Sequence, residues 1–261
     1  MIFEEITLII QREHDIPSLR DFLGRWVKIL IDRKLNYGRH NLDEFAQHLN
    51  DVRNVLDIGA GYGDDLSILS NYFPEAELFG IEFNKLNADE LRSKGVIVFE
   101  SDIEFDIFPF SDNSVDVVIA NQVIEHTKNI FWIFHEISRI LPVGGHIFLG
   151  LPNIAALHNR LLLLFGRQPT QIKSASAHVR GFTRYDVLGF FEEVFPGGYQ
   201  LKIFRGSNFY PFPPVVARPL ARIFPNSAWG IFFMLEKIRE YDNQFIEYPV
   251  RKRLETNFFV G

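Results

Sequence analysis

The strongest constraint in this sequence is the alternation of short apolar runs with segments of helical periodicity between residues 53 and 149. The runs predict strands at 55–58, 78–81, 96–99, 115–120 and 146–149, and the segments between them predict helices at 65–73, 88–94 and 130–141. Apolar strands separated by helices are typical of a parallel sheet that is covered on both faces. We therefore predict a doubly wound α/β domain.

Helices are also predicted before this alternation. Ser18 and Asp21 have the spacing of a capping box at the start of a helix that reaches about residue 34. Asn41 with Glu44 opens a second helix that ends near residue 49, and residues 36–40 between the two are predicted to be a polar loop. We assign residues 1–50 to an N-terminal helical cover.

The pattern changes after Pro152. A leucine-rich helix is predicted at 154–165, then a polar loop, then a helix that Thr183 caps and that ends at residue 194. Further strands are predicted at 199–204 and 229–235. We assign residues 51–238 to the main domain, with acceptor-covering insertions at about 152–182 and 207–228, and residues 239–261 to a C-terminal tail without a motif.

Composition excludes several classes of site and partner. The chain has no cysteine, so disulfides, thiolate zinc sites and cysteine nucleophiles are excluded. The net charge of −6 argues against a nucleic-acid partner. No apolar run approaches the roughly 20 residues that cross a bilayer, and acids stand where a signal peptide has bases. We expect a cytoplasmic protein.

The first predicted strand runs into a glycine-rich turn, Gly59-Ala60-Gly61-Tyr62-Gly63, that precedes a helix. Glycine permits positive φ angles and lets the backbone approach a ligand closely. A tight strand–helix connection would explain the same residues without any ligand.

Polar side chains follow the next three strands. Glu82 ends the second strand, where a carboxylate can accept both hydroxyls of a ribose. Asp102 and Ile103 follow the third strand, and Asn121 follows the fourth. Because ligands of open α/β sheets bind at the carboxyl ends of the strands, these residues predict a nucleoside site.

With these residues the chain resembles the class I S-adenosylmethionine-dependent methyltransferases, over residues 36–151 most clearly. The glycine spacing differs from the G-x-G-x-x-G of nicotinamide dehydrogenases, the weaker enzyme alternative. The resemblance implies a Rossmann-like seven-stranded sheet with strand seven antiparallel between strands five and six. It also implies that S-adenosyl-L-methionine is the cosubstrate. Gly59 and Gly61 would then contact its methionine portion near Asp57, Glu82 its ribose, and Asp102 with Ile103 its adenine.

Gln122-Val123-Ile124-Glu125-His126 resembles the E-x-x-E-H run of ubiquinone-biosynthesis O-methyltransferases and small-RNA 2′-O-methyltransferases. In those groups two glutamates, this histidine and a later histidine bind a divalent metal beside the acceptor hydroxyl. Here Gln122 replaces the first glutamate, and His178 stands where the later histidine would come. We predict a catalytic set of Glu125, His126 and His178 that acts without a metal, as base or acceptor-orienting groups.

The same resemblance places an arginine near the cosubstrate at the spacing of Arg39, which we include among the cosubstrate-binding residues. The alternative for Arg39 is a surface side chain without a ligand. The alternative for Glu125 and His126 is the start of a helix without a catalytic role.

Residues 208–227 combine arginines and aromatic side chains with five of the chain's 13 prolines and no acid. Such a segment suits an anionic or lipid-linked acceptor or a peripheral membrane contact. A cover over the sheet edge or a homodimer contact is the alternative.

The resemblance therefore implies a methyltransferase that moves a methyl group to an oxygen or nitrogen of a small-molecule or glycan acceptor. The methyltransferase core with the loop at His178–Phe182 and the proline-rich insert also resembles bacterial methyltransferases of surface-polysaccharide and sugar modification, which implies a sugar or surface-glycan precursor as acceptor. Two alternatives stay open. One is an O-methyltransferase of quinones or phenols, and the other is a non-catalytic protein that binds the same cosubstrate.

Overall fold

The computed structural model describes residues 33–255, whose centre is a seven-stranded sheet. Its strands are β1 (Asn54–Ile58), β2 (Glu77–Ile81), β3 (Ile97–Phe99), β4 (Val117–Asn121), β5 (His146–Pro152), β6 (Tyr199–Ser207) and β7 (Gly230–Lys237). The order across the sheet is β3-β2-β1-β4-β5-β7-β6. All neighbours are parallel except the two pairs that include β7. The predicted fold class is confirmed, with the antiparallel seventh strand between the fifth and the sixth.

The described helices are α1 (Arg39–Ala46), α2 (Asp64–Tyr72), α3 (Lys85–Ser93), α4 (Ile130–Ile140), α5 (Leu157–Leu164), α6 (Arg184–Val194), α7 (Pro214–Ile223) and α8 (Gln244–Lys252). Short 3-10 turns occupy Arg33–Tyr37, Ile124–His126, Thr170–Ile172 and Pro225–Ser227. None of the helices within residues 33–255 has the length and apolar character to span a lipid bilayer. The helix predicted from residue 18 lies outside the described residues except for its last two.

Two apolar clusters pack on opposite faces of the sheet, because successive side chains of a strand point to opposite faces. Leu56 of β1 belongs to a cluster with α4, α6 and α8, whereas its neighbour Val55 belongs to a cluster with α1 and α2. In β4, Val118 likewise belongs to the cluster with α4, α6 and α8, and Val117 to the cluster with α1 and α2. β4 is buried along its whole length, as expected of a central parallel strand.

The predicted polar loop at 36–40 is wrong for its last two residues. Gly38 has a φ of 56°, in the left-handed region, and α1 begins at the next residue, Arg39. A side chain at Gly38 would collide with the ring of Phe232 as well as strain the backbone. Arg39 is therefore the first residue of a helix and not part of a loop.

The last two segments contain helices that the sequence did not predict. α7 occupies the middle of the 208–227 segment, with proline at its first position, where the missing N–H costs nothing. α8 lies in the segment assigned as a tail, and it contacts α4 and α6 through Phe245, which is fully buried. A proline within each helix hides it from a search for periodicity.

Candidate active site

The glycine-rich turn between β1 and α2 adopts three left-handed conformations, at Gly59 (φ 69°), Gly61 (φ 54°) and Gly63 (φ 79°). A Cβ at Gly59 would lie 2.6 Å from Val123 Cγ2, so this position requires glycine for space as well as for conformation. A Cβ at Gly61 would meet no atom within 4 Å. The backbone of Gly61 therefore borders open space, as a ligand-binding turn must.

Glu82 follows β2 and its carboxylate faces this turn. Oε2 accepts a hydrogen bond from the Gly61 N–H at 2.8 Å, and Oε1 accepts one from the Asn84 N–H at 2.7 Å. The residue is only 8% exposed, so the two backbone bonds offset the cost of burying its charge. Each oxygen keeps acceptor capacity for a ribose hydroxyl. The ribose contact itself stays a prediction.

The two residues predicted to hold adenine lie after β3, at the edge of the sheet. Asp102 is exposed, and its Oδ1 accepts a hydrogen bond from the Glu104 N–H at 2.9 Å. Ile103 is half-buried and packs against the apolar cluster on the α4 side. An exposed carboxylate beside an apolar side chain is compatible with the predicted adenine contact.

Arg39 lies in an ion-pair network that the sequence did not predict. Its Nε donates to Asp65 Oδ1 at 2.9 Å, and its Nη2 lies 3.0 Å from Asp64 Oδ2. Asn121, the last residue of β4, donates through Nδ2 to Asp65 Oδ2 at 2.7 Å and to the Tyr37 carbonyl oxygen at 2.9 Å. Asp64 and Asp65 lie in the first turn of α2, where carboxylates complement the helix dipole. These two acids were the signal in the sequence from which a partner for Arg39 could have been predicted.

The carboxyl groups in this part of the site are shifted toward their neutral forms. Burial raises the pKa of Asp57 well above its ordinary value, the neighbouring Asp65 raises it further, and Arg39 opposes the shift. Burial also raises the pKa of Asp65. A cationic group bound here, such as an ammonium, would favour the anionic forms again.

The structure brings the three predicted catalytic residues together. Glu125 and His126 lie in the 3-10 turn after β4, and the rings of His126 and His178 meet edge to face at a centroid distance of 4.6 Å. His126 Nε2 lies 4.0 Å from Glu125 Oε1. One ligand-capable atom from each residue lies within 4.8 Å of the others.

Backbone contacts fix this cluster in place. The N–H groups of Val179 and Arg180 donate to the Glu125 carbonyl oxygen, at 2.8 Å and 3.3 Å, and thereby hold the loop that carries His178 against the turn after β4. His126 Nδ1 lies 3.3 Å from the Ala177 carbonyl oxygen. The two histidines, 52 positions apart in the chain, are therefore neighbours through a defined loop contact.

Two buried polar atoms of the cluster have no hydrogen-bond partner, Glu125 Oε2 and His178 Nδ1. Burial raises the pKa of Glu125 to about 8. Burial lowers the pKa of His178, and the adjacent His126 lowers it further. At neutral pH the cluster therefore combines a largely protonated carboxyl group with a neutral imidazole, and both have unused hydrogen-bonding capacity.

Gln122 lies just before this cluster in the chain, directly after β4. It has a φ of 59°, and its buried Nε2 has no partner. An amide in place of a carboxylate leaves the cluster with one acidic group.

A pocket of about 560 Å³ lies next to the cluster. Ile124, Arg180 and Gly181 line it. Ile124 precedes Glu125 in the chain, and the Arg180 N–H donates to the Glu125 carbonyl oxygen. Most of the other lining side chains are apolar and come from α4, β5 and α6.

Comparison with known proteins identifies the domain that carries this site. A family model described as a methyltransferase domain matches residues 56–149. The malonyl-[acyl-carrier protein] O-methyltransferase of Legionella pneumophila is 28% identical over 98 residues, which cover 36% of this chain and 34% of that protein. A probable S-adenosylmethionine-dependent methyltransferase of Mycolicibacterium smegmatis is 25% identical over 143 residues, 54% of this chain and 55% of that protein. The chain thus spans about a third to a half of these relatives.

Solved structures share the fold. The crystal structure of an S-adenosylmethionine-dependent methyltransferase from Archaeoglobus fulgidus superposes with a TM-score of 0.54 at 17% identity, covering 78% of this chain and 94% of that one. An O-methyltransferase from a Brevibacillus brevis multienzyme, solved in complex with S-adenosyl-L-homocysteine, has a TM-score of 0.52 at 17% identity, covering 84% and 78%. Residues 56–149 therefore form a methyltransferase domain of the class I S-adenosylmethionine-dependent type.

Proposed function

We propose that this protein transfers the methyl group of S-adenosyl-L-methionine to an oxygen or nitrogen of an acceptor. The observation that carries the proposal is the position of the Glu125–His126–His178 cluster. It follows β4, the strand beside β1, so it borders the same carboxyl edge of the sheet as the glycine-rich turn. A nucleoside site and a proton-accepting cluster at one edge are what methyl transfer to a hydroxyl or amine requires.

In this proposal, different residues bind different parts of the cosubstrate. Gly59 and Gly61 let the backbone approach the methionine portion, and Asp57 with Arg39 provides the charges near its amino and carboxyl groups. Glu82 accepts from the ribose, and Asp102 with Ile103 holds the adenine. Asn121 would hold Asp65 and the Tyr37 carbonyl in position at the same edge of the sheet.

When bound, S-adenosylmethionine supplies an electrophilic methyl group that an acceptor lone pair displaces in line from sulfur. His178 or His126 accepts the acceptor's proton as the new bond to carbon forms, and S-adenosylhomocysteine is the other product. The lowered pKa of His178 keeps its imidazole neutral at pH 7 and therefore able to take this proton. Glu125 orients the acceptor through a hydrogen bond, since its carboxyl group is largely protonated at that pH.

A divalent metal is the alternative for this cluster. Glu125, His126 and His178 would hold it, and the unpartnered Glu125 Oε2 and His178 Nδ1 fit that role. A bound metal would polarise the acceptor hydroxyl. We favour the metal-free version, because Gln122 leaves the site one carboxylate short of the resembled sets.

The acceptor we propose is a sugar or surface-glycan precursor. An aliphatic hydroxyl is weakly acidic and gains more from a neighbouring base than a phenol does, so the paired histidines support this class. The apolar pocket beside the cluster favours a second candidate, a quinone or phenolic small molecule whose ring or side chain would fill it.

Transfer of labelled methyl groups tests the proposal. The protein is incubated with S-[methyl-³H]adenosylmethionine and either glycan precursors or phenolic acceptors, and the label in each product is counted. Time-dependent label in an acceptor supports methyl transfer. Calorimetric binding of the cosubstrate without label in any acceptor class supports a non-catalytic binding protein instead.

A further inference from the structure

The amphipathic pattern of α5 is reversed. Its polar side chains His158 and Asn159 are buried, and Asn159 Nδ2 donates to Gln171 Oε1 at 2.6 Å and to the Asn153 carbonyl oxygen at 3.1 Å. Leu162 is buried with them, but the other large apolar side chains point to solvent: Leu157, Leu161, Leu163 and Leu164, followed by Phe165. Leu164 and Phe165 are 76% and 77% exposed, which an isolated soluble surface does not favour.

α7 repeats this arrangement. It buries two small residues, Ala217 and Ala221, against the end of β6, where Gly206 leaves room for the backbone of the helix. Its large apolar side chains are outside, with Val215 at 86% and Ile223 at 66% exposure, together with Val216 and the following Phe224. Apart from Leu162 and the half-buried Leu220, both helices therefore contact the rest of the described chain through small or polar residues, and their other large apolar side chains are exposed.

The two exposed faces lie at the same edge of the sheet as the catalytic cluster. α5 follows β5 and α7 follows β6, and the last residues of these strands, Pro152 and Ser207, both pair with Gly230. Asn153 Nδ2 donates to the Asn226 carbonyl oxygen at 2.9 Å and ties the start of the α5 segment to the turn after α7. We call the exposed apolar side chains of this region the α5–α7 surface: Leu157, Leu161, Leu163, Leu164, Phe165, Val215, Val216, Ile223 and Phe224.

The two segments that carry this surface contain basic but no acidic side chains, and the acid that approaches them, Glu44 of α1, is paired with Arg205. Residues 152–185 and 205–235 contain no aspartate or glutamate, although the whole chain carries a net charge of −6. Arg160 on α5 and Arg218 and Arg222 on α7 are exposed beside the apolar side chains. A local basic region in an acidic protein indicates an anionic partner.

We propose that the α5–α7 surface docks on an anionic lipid bilayer. Protruding leucine, valine, isoleucine and phenylalanine side chains can enter the acyl boundary, while the flanking arginines contact lipid phosphates. The carboxyl edge of the sheet, with His126 and His178, would then lie close to the lipid surface. This inference depends on exposed side chains and charge, and it stands whether or not the protein transfers methyl groups.

Vesicle co-sedimentation with the full chain tests the inference directly. Vesicles of phosphatidylcholine with 30% phosphatidylglycerol should bind the protein, pure phosphatidylcholine should bind it at least about tenfold more weakly, and added salt should reduce binding. The double variant Leu164→Ser/Phe165→Ser should weaken binding through lost apolar contact. Arg218→Glu/Arg222→Glu should weaken it by at least about tenfold through reversed charge.

Matched variants elsewhere on the surface provide the controls. Ile107, which is 70% exposed, and Lys252, which is 51% exposed, lie outside the α5–α7 surface, so Ile107→Ser and Lys252→Glu should leave vesicle binding unchanged. Equal loss in these controls, or no binding of the original protein to anionic vesicles at low salt, would overturn the inference. So would a dimer in sedimentation velocity that the Leu164→Ser/Phe165→Ser variant dissociates, because the surface would then contact a second copy. Thermal unfolding confirms that each variant folds, and the salt dependence of the original protein tests the inference without any variant.

Discussion

Arg39 Nε donates to Asp65 Oδ1 at 2.9 Å and joins the start of α1 to the first turn of α2 across the glycine-rich turn. The guanidinium therefore does two things at once. It connects two elements of the proposed cosubstrate site, and it opposes the effect of burial on the pKa values of Asp57 and Asp65.

Arg39→Met should weaken binding of S-adenosylmethionine by about tenfold, because a charge-assisted contact beside the site is lost. Without the guanidinium the pKa values of Asp57 and Asp65 rise. If the anionic form of Asp57 holds the ammonium group, the rise of affinity with pH should then move to higher pH. Calorimetry from pH 5 to 9 measures both effects. Arg53→Met, which removes an exposed arginine outside the network, should change neither the affinity nor its pH dependence. If Arg39→Met binds S-adenosylmethionine with the original affinity and pH dependence, Arg39 only connects α1 to α2.

Glu82→Ala should lower the affinity for S-adenosylhomocysteine by about 5- to 150-fold, since it removes the proposed acceptor for the ribose and the observed acceptor of two backbone N–H bonds. The ribose part can be separated with the 2′-deoxy form of the ligand. The 2′-deoxy ligand already lacks one hydroxyl contact with Glu82. Glu82→Ala should therefore lower the affinity for the 2′-deoxy ligand by a smaller factor than the affinity for S-adenosylhomocysteine. Asp89→Ala, on the exposed side of α3, is the control. An equal loss for both ligands would mean that Glu82 only supports the turn.

His126→Ala and His178→Ala should each slow turnover by about 10²–10⁴-fold, the usual contribution of a general base, with little change in cosubstrate affinity. Since burial and His126 lower the pKa of His178, the rise of activity with pH should lie below 6.5, the ordinary histidine value. His48→Ala, an exposed histidine on the same chain, serves as the control. Full activity in both site variants would leave positioning alone as the source of catalysis.

Treatment with a chelator separates the two versions of the histidine cluster. In the metal-free version, EDTA followed by desalting should leave both turnover and cosubstrate binding unchanged. Loss of turnover that Zn²⁺ or Mg²⁺ restores, with cosubstrate binding intact, would assign Glu125, His126 and His178 as metal ligands.

The strands of the sheet could be predicted because each one is recognisable from its own few residues. Apolar runs such as the one in β4 need only their own composition to be recognised as buried strands, and the glycine-rich turn needs only its spacing. The approach of His178 to His126 could be expected only from the resemblance to known families, because it depends on how a loop of irregular structure returns over the sheet. Nothing local pairs Arg39 with Asp65, since the two lie 26 positions apart on different helices. The buried start of α8 was missed for a related reason, as its three core side chains become recognisable only against α4 and α6.

Glu125 gives a stability prediction with a defined sign. Its pKa is raised from 4.5 to about 8 in the folded protein, so folding favours the protonated form. Above pH 4.5 the unfolded chain ionises while the folded chain holds its proton, and the stability that this group contributes falls until about pH 8 and is constant beyond it.

Glu125→Gln removes this titration while keeping the shape of the side chain. The variant should therefore match the original protein near pH 5 and exceed its free energy of unfolding by about 1–3 kcal/mol at pH 9. Urea denaturation at the two pH values measures the difference. Glu193→Gln, a change at a carboxylate that is 63% exposed, should show no such pH-dependent gain. A constant difference between Glu125→Gln and the original protein from pH 5 to 9 would mean that Glu125 is ionised in the folded state, and its role as a neutral hydrogen-bonding group beside the two histidines would then be wrong.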